Sequence, residues 1–174
     1  VVPRLSALKE CSICSNDSKY TRHILYTICP ANLEKLHLST RSNNDSSLLE
    51  FDQEAINHLT NLQAVKLRNV SPSSTLHLLK SAKSAVQKLH ISFDGDKENL
   101  QLLDNNLIAA LAACSDLSSV FLSSVQVSNQ FFVILDTYCS PLYGLTMRDV
   151  RWAADSSSWD KPEPTATPSE AEQL

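Results

Sequence analysis

The sequence predicts an α/β chain built by repetition, in which short parallel strands alternate with helices. Three observations carry this. The nonapeptides LSSVFLSSV at Leu117 and LYGLTMRDV at Leu142 share the pattern apolar-x-x-apolar-x-apolar-x-x-apolar, each just behind a cysteine, Cys114 or Cys139. Their inner parts, Val120-Phe121-Leu122 and Leu145-Thr146-Met147, alternate as a short strand with one buried face does. Between them Ser128 offers an N-cap for a helix whose apolar face includes Phe131, Phe132 and Leu135.

Strand, turn, helix and return to strand within about 20–29 residues is the leucine-rich repeat unit. The expected fold class is therefore an α/β leucine-rich repeat solenoid. It is curved, with a parallel sheet on the concave face and helices on the convex face. Residues 1–150 form a domain of about six irregular repeats, and residues 151–174 a C-terminal cap and disordered acidic tail. No single repeat buries its own apolar face; stacking does so.

Taken in order, copies of the nonapeptide begin at Leu5 (LSALKECSI), Leu33, Leu62, Val86, Leu117 and Leu142, at intervals of 28, 29, 24, 31 and 25 residues. The first is degenerate, with Glu10 at the third apolar position; Arg41 ends the second, and Phe93 comes one residue early in the fourth. The segments between copies carry helical signals. Asn16–Ile28 offers Tyr20, Ile24 and Ile28 at helical spacing after caps at Asn16 or Ser18. Ser47–Leu59 carries Leu49, Phe51, Ile56 and Leu59, with acids towards its start, where the helix dipole favours them. Ser71-Pro72 is a cap and first turn before Leu76, Leu78 and Leu79. Lys97–Cys114 is the longest expected helix, after a turn at Asp94-Gly95-Asp96. Beyond Val150, Trp152 and less firmly Trp159 are expected to cover the open end of the last repeat. The proline- and glutamate-rich remainder has little to bury, and residues 151–174 carry a net charge of −3.

Composition narrows the function. Two glycines argue against phosphate-cradling loops and tight hairpins, and a net charge of −4 implies no generic affinity for nucleic acid or membranes. No apolar run approaches the roughly 20 residues of a membrane span. Five scattered cysteines do not resemble a disulfide framework and point to a reducing compartment, cytoplasmic or nuclear. Three glycosylation sequons, at Asn16, Asn44 and Asn69, are close to the number chance supplies.

Signs of chemistry are few. Cys11-Ser12-Ile13-Cys14 lacks the second close pair a zinc site requires, so no metal is expected. Cys114 and Cys139 suit packing at the turn into a strand. No motif sets a base beside a nucleophile, and the five histidines contain no metal-binding pair, so neither catalysis nor a cofactor is expected.

Sorting strand positions by face is more informative. The third, fifth and seventh residues of each copy should face away from the core. These are Ala7, Lys9, Cys11; Lys35, His37, Ser39; Ala64, Lys66, Arg68; Lys88, His90, Ser92; Ser119, Phe121, Ser123; and Gly144, Thr146, Arg148. Six of the eighteen are Lys or Arg and none is acidic, which predicts a basic binding surface. Lys35, His37, Lys66, Arg68, Lys88, His90, Phe121 and Arg148 are the candidate partner-binding residues. A protein or phosphoprotein ligand suits them. Nucleic acid suits them less well, because Phe121 is the only stacking platform on that face.

The order cysteine, short spacer, LxxLxLxx-apolar, then helix resembles the cysteine-containing leucine-rich repeats of F-box proteins. The match is clearest over Cys114–Val150 and looser over Cys29–Phe93. The resemblance implies a substrate-recognition arm of a cullin-based ubiquitin ligase, with the adaptor bound through a region outside this chain. Val1–Pro30 reads as a repeat, so an F-box is expected upstream of Val1 or the chain is a stand-alone repeat protein. Repeats of 28–29 residues also resemble those of intracellular immune receptors and of ribonuclease-inhibitor-like proteins. These leave an immune-receptor fragment, or a stand-alone inhibitor or scaffold, as alternatives.

Overall fold

The computed structural model describes residues 5–40, 48–82, 85–94, 101–103, 105–139 and 142–152. In chain order its elements are β1 (Glu10–Cys14), α1 (Ser18–Thr27), β2 (Lys35–Ser39), α2 (Gln53–Ile56), β3 (Ala64–Arg68), α3 (Pro72–Ala82), β4 (Lys88–Ser92) and β5 (Gln101–Leu102). Then come α4 (Asn105–Ala112), β6 (Ser119–Ser123), β7 (Val125–Val127), α5 (Asn129–Tyr138), β8 (Gly144–Arg148) and β9 (Arg151–Trp152). The architecture is α/β, with a six-stranded sheet in the order β1-β2-β3-β4-β6-β8 and every neighbouring pair parallel. Parallel neighbours need a crossover that carries the chain back to its start. The helices and loops between the strands supply it.

Alternation decides which side of the sheet is buried. Leu36 and Leu38, Val65 and Leu67, Leu89 and Ile91, and Val120 and Leu122 all turn inward and are buried. They share one continuous core with Leu25, Leu78, Leu79, Leu107, Leu111, Phe131 and Leu135 of the helices. At α3 Ser71 Oγ accepts from the Ser74 N–H at 3.2 Å, with Pro72 opening the helix, whereas Ser128 stands at the N-cap of α5 without a side-chain capping bond. Cys29, Cys114 and Cys139 are buried where the chain turns towards β2, β6 and β8. Burial pushes the Cys114 thiol up to about 12, with Cys139 adding to the effect, and it raises Cys139 as well.

The structure corrects several expectations. The first copy starts at Leu8, not Leu5, because Glu10 pairs with Lys35 and Cys14 with Ser39. Cys11 and Ile13 therefore turn inward, while Glu10, Ser12 and Cys14 lie on the outer face. In α1 the N-cap is Asp17, whose carboxylate accepts from the Lys19 and Tyr20 N–H groups at 2.8 and 3.2 Å. Its buried residues are Thr21 and Leu25, with Tyr20 exposed, because the apolar stripe runs one residue later than the Tyr20 spacing implies. The helix expected over Ser47–Leu59 is the single turn α2, because Leu49 is in a parallel bridge with Val70. Within the longest expected helix, Lys97–Cys114, the described residues hold β5 and then α4; residues 95–100 and 104 lie outside the described residues.

Those shorter helices make room for a second ladder, β5-β7-β9, also parallel. After β6 and β8 the chain turns towards it, and after β3 towards the Leu49–Val70 bridge, each time through one residue with positive φ: Ser124 (55°), Asp149 (51°) and Asn69 (58°). Asn and Asp tolerate this left-handed conformation better than most residues. Asn69 is buried, so the sequon it heads offers no accessible glycan site.

At the far end, β8 has no strand beyond it among the described residues, and its inward Leu145 and Met147 remain 40% and 36% exposed. Trp152 stacks on Phe132 with ring centroids 5.0 Å apart and stays 57% exposed. It thus flanks α5 and leaves Leu145 and Met147 open. Trp159 and the tail, residues 153–174, lie outside the described residues.

Candidate functional site

The register stacks outward side chains into rows across the sheet, one strand spacing of about 4.8 Å apart. The middle row runs Ser12, His37, Lys66, His90, Phe121, Thr146. One flanking row runs Glu10, Lys35, Ala64, Lys88, Ser119, Gly144, and the other Cys14, Ser39, Arg68, Ser92, Ser123, Arg148. The first two rows line an open hollow of about 350 Å³ containing Glu10, Lys35, His37, Lys66, Lys88, His90, Ser119 and Phe121. Seven of the eight predicted residues thus lie on four adjacent strands. Arg148 stands apart on β8, where its Nε is 3.6 Å from Asp149.

Ion pairs reduce the predicted charge. Glu10, now on this face, lies 3.2 Å from Lys35 Nζ. Arg68 donates through Nε to both oxygens of Asp94 at 2.9 Å, and its Nη2 is 2.9 Å from Oδ2. The expectation of a face free of acids fails at these two points. It fails at Glu10 because of the three-residue slip in the first copy. At the other, Asp94 follows β4 closely enough to reach back. Among the described residues Lys66 and Lys88 form no ion pair and are exposed.

Lys66 is flanked by His37 on β2 and His90 on β4. Burial, then the charges of Lys66 and Arg68, holds His37 below its ordinary 6.5. Burial, then Lys66 and His37, does the same to His90. Both imidazoles are therefore shifted towards the neutral form in the unliganded protein. Ser12 Oγ lies 3.2 Å from His37 Nδ1, and the His90 ring lies against Phe121 with centroids 4.1 Å apart. The resulting surface has an uncompensated ammonium at its centre, two imidazoles able to take up protons, and an aromatic edge. An anionic group fits such a centre, because it would desolvate few protein charges and gain charge-assisted hydrogen bonds.

Cys11 and Cys14, three apart on β1, point to opposite sides of the sheet and cannot share a ligand. Among the described residues no three His, Cys, Asp or Glu side chains are grouped to hold a metal ion. No helix among the described residues is long and apolar enough to cross a membrane. By sequence, no protein-family model and no curated protein matches the chain.

Proposed function

We propose that this chain is a protein-binding module of leucine-rich repeat type, receiving an acidic or phosphorylated segment on the outer face of its sheet. On this reading the sheet and helices form a curved solenoid. The chain is the substrate-recognition part of an F-box-type ubiquitin ligase subunit, with the cullin-ligase adaptor bound outside it. The repeated cysteine–spacer–LxxLxL order and the sequential parallel strands support the repeat assignment. The observation that carries the binding assignment is the row His37–Lys66–His90–Phe121. It is bordered by Lys88, and Lys66 and Lys88 have no acidic partner among the described residues.

A single-stranded nucleic acid would need successive aromatic platforms, and this face offers one, Phe121, already against His90. Pulldown from lysate before and after phosphatase treatment, beside an RNA-binding assay, separates the two ligands. Partner recovery that falls after phosphatase and is lost in Lys66→Glu/Lys88→Glu supports the proposal. RNA binding with phosphatase-insensitive recovery refutes it.

A further inference from the structure

The corrected register of β1 turns Cys11 inward, where its sulfur lies 3.7 Å from that of Cys29. Both are thiols. Cys11 is partly exposed on β1, the terminal strand of the sheet among the described residues; Cys29 is buried just beyond the end of α1. The two sites differ in exactly the way an attacking and a resolving thiol must: one is reachable, the other is close behind it. Cys14, also exposed, lies on the opposite face of β1 and cannot substitute for Cys11. Cys114 and Cys139 are buried in a separate part of the core, with their thiols held protonated.

We propose that Cys11 and Cys29 form a thiol–disulfide exchange site whose substrate is a small disulfide of the glutathione class, and that the product is an internal Cys11–Cys29 bridge. The Cys11 thiolate attacks one sulfur of the small disulfide. The disulfide bond breaks, and the first glutathione thiolate leaves and takes a proton. Cys29 then gives up its proton and its sulfur attacks Cys11, expelling the second glutathione, which takes that proton. Two protein thiols are oxidised by two electrons, and one glutathione disulfide is reduced to two thiols.

Two physical features favour this course. The hydrogen bond from Cys29, opposed by burial, brings the Cys11 thiol down from 9.0 to about 7, where thiolate and nucleophilicity are both substantial near neutral pH. A bonded pair needs its sulfurs about 2.05 Å apart, and at 3.7 Å the two are already within sulfur–sulfur contact. The bridge would tie β1 to the end of α1, closing an 18-residue span at the edge of the sheet.

The test is the reduced, full-length chain incubated with oxidised glutathione, followed by proteolysis and mass spectrometry without reduction. The expected product is a Cys11–Cys29 linked peptide, forming at least tenfold faster than any adduct on Cys14. In the wild-type chain the rate should reach half its maximum near pH 7; in Cys29→Ala the glutathione adduct should accumulate on Cys11, with that midpoint moved to higher pH because the hydrogen bond from Cys29 is gone. In Cys11→Ser, Cys29 should stay unmodified. Because Cys29 is buried, circular dichroism of Cys29→Ala confirms its fold, and the wild-type peptide map stands without that variant. Preferential modification of Cys14, or the absence of the Cys11–Cys29 peptide after Cys14 has reacted, overturns the proposal.

Discussion

Arg68 on β3 and Asp94 just past β4 close on each other across the sheet: the guanidinium Nε lies 2.9 Å from both carboxylate oxygens. Asn69 completes the arrangement, donating from Nδ2 to Asp94 at 2.9 Å and accepting from the Asp94 N–H at 2.6 Å. This cluster fixes the exit of two neighbouring strands. It makes Arg68 a structural cation, whereas its neighbour Lys66 has no ion-pair partner among the described residues.

Breaking the cluster at its buried member should therefore cost more than breaking it at its exposed rim. Asn69→Ala loses both bonds and the residue type that tolerates a φ of 58°, and should destabilise by about 2 kcal/mol. Asp94→Asn, at the partly exposed rim, should cost about 1 kcal/mol. Urea unfolding measures both. Burial alone would raise the Asp94 carboxyl, but the bonds from Arg68 and Asn69 hold it below 3.8. Its contribution is thus complete above pH 3.8 and is lost as the pH falls through the lower, folded value. Asp94→Asn should remove that part of the acid sensitivity.

The histidines should couple binding to pH in the opposite sense from folding. Each is held below 6.5 in the free protein, so its contribution to stability is complete above pH 6.5 and declines as the pH falls through the folded value. An anion bound beside Lys66 favours the protonated rings and raises their pKa. Affinity for an acidic peptide should therefore rise about three- to tenfold between pH 7.5 and 5.5. In His37→Gln/His90→Gln that slope should flatten, as isothermal titration at each pH would record.

The last strand should be the least costly to damage. Leu122 on β6 is fully buried, whereas Leu145 on β8 is 40% exposed. Leu122→Ala should cost about 3 kcal/mol and Leu145→Ala about 1. Equal losses in urea titrations would mean that Leu145 is covered in solution by residues outside the described ones.

Much of this was legible in residue spacing. Leu36, Leu38, Val65, Leu67, Val120 and Leu122 recur with the strand's period, and their burial follows from it. The start of the first copy is ambiguous in the sequence because Leu5 and Leu8 both offer an apolar start three residues apart. Counting Cys11 as apolar gives Leu8-x-x-Cys11-x-Ile13, and it moves Glu10 out of the core. The ion pairs could not be seen beforehand, because Glu10–Lys35 depends on that register and Arg68–Asp94 on the turn after β4. The second ladder left a fainter sign, the alternation Val125-Gln126-Val127, hidden within what reads as the run-in to a helix. The thiol pair depends on the same register, because only a start at Leu8 turns Cys11 inward towards Cys29.

The most direct measurement is the binding of a degenerate phosphoserine peptide library, and of its unphosphorylated counterpart, to the wild-type chain and to two oppositely directed variants. Lys66→Glu/Lys88→Glu reverses the two unpaired charges without breaking an ion pair among the described residues; it should lower affinity for the retained phosphopeptides at least tenfold at unchanged thermal stability. Glu10→Gln releases Lys35 in the row it shares with Lys88 and should raise that affinity about two- to fivefold. Equal affinity in all three proteins, or no preference for the phosphorylated library, would contradict the account.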